Sequence, residues 1–270
     1  MRENIAMGSV ADMLLGYINT AQVHDSNYEI ALTMVRNYRK LRTMNIREAS
    51  ELCYVSQASL SRFCRFMGFE SFKAFRAAME LDFSIRNDYS RTFFDLLKAD
   101  DDKASQYYLK ELCTGLQEVF SSENRKKIAK AADLLHDSVE IAWFSHHFLW
   151  DTGRLFQSKM IMTGRYIQEY LTFQNQLECA VSLTEKDTAV IASVNGSYFT
   201  LYDPIVRAIE KSGCHLIVMT QNTGSSRMNR ADYVLSCGSS NRDDIGKYMA
   251  TALSEYLLVK YAEKYGKEYE

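Results

Sequence analysis

The stretch from Ile46 to Phe69, IREASELCYVSQASLSRFCRFMGF, concentrates side chains suited to contact with a polyanion. Ser56 reads as the N-cap of a helix, with Ser59 one turn on. Hydroxyls and backbone N–H groups at a helix start bind phosphate. Gln57, Ser61 and Arg62 are residue types that reach base edges, and arginine matches guanine best. Arg65 also faces outward at this spacing, and Lys73 and Arg76 suit the flanking phosphates. Ala49, Cys53, Val55, Leu60 and Phe63 form the inward-facing set, and Ser50 is small where two short helices would touch. Two short helices crossing steeply, the second polar-capped, make a helix-turn-helix. The turn position commonly held by glycine is Tyr54, a residue strained at positive φ.

Charge supports the same face. Nine Lys/Arg and three Asp/Glu lie between Arg36 and Arg76, a local balance of +6 in a chain whose net charge is −2. The remainder therefore carries −8. One basic binding face beside an acidic companion fits this asymmetry. A solvated helical surface is the plainer alternative that charge alone does not beat.

The elements that must position these residues follow from periodicity. Apolar spacing predicts helices over Val10–Ile18 and Tyr28–Leu41, the latter capped by Ser26, then Ile46–Cys53, Ser56–Met67 and Ser71–Ile85. Periodicity weakens and Asp100–Asp102 cluster, so residues 1–86 read as one domain, 87–103 as a linker and 104–270 as a second domain. A long helix, Ala104–Phe120, opens that domain. Beyond Ser121, β-rich runs at Val139–Phe144, Arg165–Tyr170, Thr188–Ser193, His215–Thr220 and Tyr233–Cys237 alternate with helices at Leu149–Met162, Phe173–Leu183 and Ile205–Ser212. Asp203 and Pro204 read as N-cap and first helical residue, and Gly213 as the helix end. A last helix runs from Asp243 to Tyr265. Alternation of this kind predicts a parallel sheet covered on both faces. The expected class is an all-helical α domain followed by an α/β domain.

Composition excludes other classes. Hydrophobic residues make up 47% and charged residues 24% of 270 residues, ordinary for a soluble globular chain. The six cysteines form no C-x-x-C pair, and no metal-ligand spacing appears. No metal and no cofactor are expected. The N-terminus lacks the apolar core of a signal peptide, and no run approaches the roughly 18–20 apolar residues of a membrane span. A cytoplasmic protein with no membrane partner is expected.

The segment Tyr54–Met79, YVSQASLSRFCRFMGFESFKAFRAAM, resembles the MurR/RpiR family of bacterial transcriptional regulators. That family carries a V-S-x-A-T-[VI]-x-R-F-x-x-x-L-G-[FY]-x-[GS]-[FY] stretch. Val55, Ser56, Ala58, Arg62, Phe63, Gly68, Phe69, Ser71 and Phe72 fall in step with it; Ser59 replaces threonine and Leu60 a β-branched residue. The resemblance extends over the chain, because the element order from Ala104 to Glu270 looks like the family's SIS (sugar isomerase) domain. It implies a double-stranded DNA operator, a homodimer or higher homo-oligomer, and a phosphorylated sugar as effector.

The expected effector site departs from that family. SIS domains commonly carry G-x-G-x-S after the first strand; here the residues are Ser145-His146-His147-Phe148-Leu149. Both glycines, which let backbone curl around a ligand, are replaced. The second motif, S-x-S-G-x-T, reads Ser193-Val194-Asn195-Gly196-Ser197-Tyr198. The candidate effector residues are Ser193, Asn195, Gly196, Ser197 and His147, at the carboxyl ends of strands. Ser225-Ser226 before Ala231-Asp232 resembles a third element without its proline. Three readings stand beside a ligand-tuned regulator: a SIS domain that only joins copies, a sugar-phosphate isomerase, and an assembly module whose helical head binds no DNA. An isomerase needs a general base within reach of the sugar, and the lost glycine turn and appended helix-turn-helix argue against it.

Overall fold

The structure is a computed structural model that describes residues 9–80, 89–240 and 242–266. The chain divides into two compact units, Met1–Ser84 and Ile85–Glu270.

The first unit is helical throughout its described elements: α1 (Val10–Thr20), α2 (Ser26–Arg36), α3 (Tyr38–Leu41), α4 (Ile46–Leu52), α5 (Gln57–Phe66) and α6 (Phe72–Glu80). Capping sets the starts. Ser9 accepts from Asp12 N, Asp25 from Tyr28 N, and Asn45 with Glu48 forms a reciprocal capping box. Asp25, not Ser26, therefore caps α2. The single helix expected over Tyr28–Leu41 breaks at Asn37, whose φ of −116° leaves the helical region. Leu14, Ile30, Met34, Leu41, Leu60, Phe63, Phe75 and Met79 are fully buried in one core. Burial of such side chains contributes about 1.5–3 kcal/mol each, so this core holds the short helices that would not persist alone. The expected helix end at Ile85 and the boundary at 86/87 lie outside the described residues.

The second unit opens with α7 (Arg91–Ala99) and α8 (Asp101–Val119). Much of the segment expected as a linker is thus helical. Ser90 and Asp100 cap the two helices, and Phe93 of α7 lies 5.1 Å from Tyr108 of α8, ring to ring. A further helix, α9 (Ser122–Asp137), was not anticipated. Its buried Ile128, Ala131, Ala132 and Leu135 carry a clean helical period that its many charges obscure.

The expected strands appear as β1 (Ile141–Phe144), β2 (Gln168–Glu169), β3 (Thr188–Ala192), β4 (His215–Thr220) and β5 (Tyr233–Ser236). Between them lie α10 (Leu149–Met160), α11 (Phe173–Ser182), α12 (Tyr198–Leu201) and α13 (Asp203–Ser212), and α14 (Asp243–Tyr265) closes the unit. All strand pairs are parallel, in the order β2-β1-β3-β4-β5. Trp143, Val190, Ala192, Ile217, Met219 and Leu235 face a core shared with α9, α10 and α14. The alternate residues Ala142, Phe144, Ala189, Ile191 and Val218 are fully buried toward the other face. Burial on both faces explains the uninterrupted apolar runs. Asp203 sits inside α13 and Tyr202 takes the cap position. Gly213 ends α13 in the left-handed region, φ 76°.

One glycine governs how α14 meets the sheet. A Cβ on Gly246 would collide with Val194 Cγ1, just beyond the end of β3. Val194 is buried, 3% exposed, so its β-branched side chain has little room to yield. Gly246→Ala is expected to destabilise the second unit by about 1–3 kcal/mol through overpacking. Both tryptophans, Trp143 and Trp150, lie in this unit, so thermal unfolding followed by tryptophan fluorescence reads the effect directly.

Candidate nucleic-acid interface and effector pocket

The corner between α4 and α5 is locked by backbone. Tyr54 N–H donates to the Glu51 carbonyl (3.2 Å) and Val55 N–H to the Ser50 carbonyl (3.0 Å). This is a Schellman closure, which satisfies the last carbonyls of α4 and turns the chain. Tyr54 provides the left-handed residue, with φ of 54°. Ala49 and Ser50 are buried where the helices meet, and Cys53, Leu60 and Phe63 are buried beside them; Val55 is half-buried. Burial pushes the Cys53 thiol up to about 11 and Cys64 to about 12. Both remain neutral packing groups.

Ser56 caps α5 as its spacing implies, its Oγ accepting from Ser59 N (3.1 Å) and lying 3.0 Å from Ser59 Oγ. Arg62 Nη2 donates to Ser59 Oγ (3.1 Å), and Arg65 Nε donates to the Ser61 carbonyl (3.3 Å). Gln57, Arg62, Arg65 and Lys73 are exposed; Ser59 and Ser61 are half-buried. No acidic residue stands in the first turn of α5, so its positive dipole end is uncompensated. Arg76 behaves differently from expectation. It is half-buried and its Nη1 donates to the Met44 carbonyl (3.0 Å), bracing α6 against the loop before α4. Arg47 is held by Glu51 at 3.0 Å.

In the second unit, β1 connects onward to its neighbour on one side, and the chain then returns to β3 on the other. Ligands in such sheets bind at the carboxyl ends of the strands where the order reverses. The loops there are 145–148, after β1, and 193–197, after β3. They approach each other: Ser197 Oγ lies 3.2 Å from His146 Nε2. The 193–197 loop is largely satisfied by itself. Ser193 Oγ, 1% exposed, accepts from Tyr198 N (3.1 Å), and Asn195 Oδ1 accepts from Ser197 N (2.9 Å). Gly196 adopts φ 81°, which its lack of a Cβ permits.

Of the two histidines, His146 is the one that turns inward. It is 8% exposed, with the Tyr202 ring centroid at 5.4 Å and that of Tyr198 at 5.9 Å. Burial first, then the neighbouring His147, lowers its pKa to about 3. His147 takes a left-handed φ of 53° and is half-buried. Two buried atoms, Ser145 Oγ and His146 Nδ1, have no hydrogen-bond partner among the described residues. Beneath them Gln176 Nε2 donates to the carbonyls of Ser145 (3.0 Å) and Tyr170 (2.7 Å), and its Oε1 accepts from Tyr198 Oη at 2.5 Å. Sequence reasoning missed Gln176, because nothing local marks a glutamine on α11 as a partner of the β1 loop. His146 and Tyr198 were visible only as departures from a motif.

Residues 14–86 match the helix-turn-helix domain of the rpiR family. This part of the chain is an rpiR-family helix-turn-helix domain. A search among curated proteins finds no match. Among solved structures, the chain is similar to the Vibrio vulnificus NanR protein complexed with ManNAc-6P, at 17% identity and a TM-score of 0.53, over 95% of this chain and 93% of that one. It is also similar to the sugar isomerase domain of an RpiR transcription factor from Sphaerobacter thermophilus, at 14% identity and a TM-score of 0.49, over 61% of this chain and 94% of that one.

The rpiR-type domain makes the chain a DNA-binding transcriptional regulator. Its second unit has the SIS-like α/β fold, a five-stranded parallel sheet between helices. Among the described residues no group of three or more His, Cys, Asp or Glu could hold a metal ion.

The state of His146 carries a pH signature. The titratable groups around it are His147, Tyr198 and Tyr202. Its folded pKa of about 3 lies below the ordinary 6.5. Between those values the unfolded chain binds a proton that the folded chain refuses, so stability falls as pH drops through this window. From pH 6.5 to about pH 5 the loss is roughly 2 kcal/mol. His146→Gln removes the titration. Its fluorescence-monitored melting temperature is expected to fall less than that of the wild type between about pH 7 and about pH 5.

Proposed function

We propose that α5 enters the major groove of a near-palindromic operator, with two copies of the chain presenting it to successive grooves. The carrying observation is the outward face of α5. It is capped by Ser56, free of acid in its first turn, and displays Gln57, Arg62 and Arg65 to solvent. Gln57, Ser61 and Arg62 read base edges. Ser56, Ser59, Arg65 and Lys73 hold phosphates, which positions the helix without specifying sequence. Binding a chromosomal operator implies action in the cytoplasm. Among the described residues, no helix is long and apolar enough to cross a membrane.

The SIS-like unit joins copies of the chain and takes a phosphorylated sugar at the β1/β3 reversal, with Ser193, Asn195, Gly196, Ser197 and His147 as its lining. Support comes from the convergence of loops 145–148 and 193–197 at that point, and from the likeness to NanR complexed with ManNAc-6P. Carbohydrate-related genes are the natural targets of such a regulator. Ligand binding would alter how the SIS-like units pair and so the spacing of the two DNA-reading helices. A second reading has its own support: the self-satisfied 193–197 loop and the inserted His146 favour a ligand-free joining platform. An isomerase is disfavoured on chemical grounds. A histidine with a pKa of about 3 is a weak general base at neutral pH.

Three measurements test these roles. Gln57→Ala with Arg62→Ala is expected to flatten sequence preference in gel shifts, each lost base contact removing about 1–3 kcal/mol of discrimination; an unchanged preference refutes the assigned readout. Lys73→Ala is expected to weaken all duplexes alike and reduce the salt slope by about 1. A thermal-shift screen with sugar phosphates decides between the two readings of the SIS-like unit, since a ligand at 100 times its Kd stabilises by about 2.7 kcal/mol. No shift with any sugar phosphate favours the joining platform.

A further inference from the structure

Among the described residues, Tyr54 and His147 are the non-glycine residues with positive φ. Tyr54 is the more costly to explain. A side chain with a Cβ is strained in the left-handed region, and tyrosine has no local hydrogen bond of the kind that lets Asn or Asp tolerate it. Its side chain is 95% exposed, so packing within its own unit does not offset that strain. The same closure recurs at the far end of α5. There Gly68 N–H donates to the Arg65 carbonyl (3.0 Å) and Phe69 N–H to the Cys64 carbonyl (2.9 Å), and the left-handed position holds glycine, φ 92°. Two equivalent turns flank one helix. One uses the residue the backbone prefers; the other uses a large, exposed phenol. Strained residues of this sort persist where something outside the fold rewards them.

The position of Tyr54 indicates what that reward is. It stands two residues before Ser56, at the end of α5 where Gln57 and the uncapped N–H groups begin. Residues of the first turn reach into a groove, while those just before it lie against the rim, which is lined with phosphate. A phenol hydroxyl donates a hydrogen bond to a phosphate oxygen and brings no charge of its own at neutral pH. We propose that Tyr54 is a DNA-backbone contact, its hydroxyl donating to a phosphate at the edge of the groove that α5 enters. This rests on the reading of α5 as the DNA-reading helix and adds a residue at which this chain departs from the glycine usual in the turn. Tyr54 therefore positions the helix on any duplex and carries no sequence information.

The test compares Tyr54→Gly, Tyr54→Phe and Arg62→Ala in the full-length chain, using fluorescence anisotropy with a labelled duplex pool of random sequence. Glycine suits the turn geometry, so Tyr54→Gly is expected to melt at or above the wild-type temperature. Both Tyr54 variants are expected to bind roughly tenfold more weakly, as for loss of a hydrogen bond to a charged group. The loss should be equal on unrelated duplexes, with an unchanged salt slope because no cation is removed. Wild-type affinity in Tyr54→Phe overturns the hydroxyl contact. So does a lowered melting temperature in Tyr54→Gly, which would give the tyrosine a purely structural role. If the wild-type chain and Arg62→Ala alike leave the duplex unbound, the DNA-reading assignment of α5 fails and Tyr54 falls with it. Wild-type binding that is weakened by Arg62→Ala but unaffected by the Tyr54 variants rejects Tyr54 alone.

Discussion

The backbone closure between α4 and α5 is the constraint on which the proposed DNA-reading face depends. Two N–H···O bonds, Tyr54 to Glu51 and Val55 to Ser50, decide the direction in which α5 leaves. Given that direction, Leu60, Phe63 and Cys64 must turn inward, and Gln57, Arg62 and Arg65 must turn out. The small Ser50 lets the helices approach, its own hydroxyl donating to the Arg47 carbonyl at 2.8 Å. The face is thus a consequence of a corner, not of the charged residues that occupy it.

The SIS-like unit shows the same economy at the other end of the chain. A parallel sheet gathers the loops after β1, β3 and β4 at one edge without any sequence proximity between them. The reversal of strand order between β1 and β3 parts the connecting chain there and leaves a natural crevice. At that reversal this chain places His146, buried against Tyr198 and Tyr202, with Gln176 bonded to the Ser145 carbonyl and to Tyr198. The backbone responds with a left-handed His147 where glycine would be relaxed. Both left-handed side chains of the described protein therefore sit in loops that precede a helix at a candidate binding face. Strain at such places is consistent with selection for what the loop touches over what the loop prefers.

Much of the fold was readable along the chain because its determinants are local. Caps such as Ser56, the left-handed Gly213 and the apolar runs of β3 and β4 act within a few residues of themselves. Where reading failed, a local signal was masked or misassigned. The period of Ile128, Ala131, Ala132 and Leu135 was hidden by the charges of α9. The acidic run at Asp100–Asp102 suggested a linker, yet Asp100 is a cap and its neighbours strengthen the first turn of α8. Asp25 rather than Ser26 won the α2 cap, since either type serves and only the chain path selects between them.

By itself, then, the sequence determined the two-part organisation of helical head and α/β body, the helix-turn-helix and the outward set on α5, since helical periodicity and capping operate over three to four residues. Tertiary structure alone decided that His146 rather than His147 turns inward, that Gln176 underpins the β1 loop from α11, that Arg76 braces the Met44 carbonyl, and that the Tyr54 ring is left exposed. Those outcomes depend on groups brought together from far along the chain or on the path the backbone takes at one residue. Neither leaves a periodic trace in the order of amino acids.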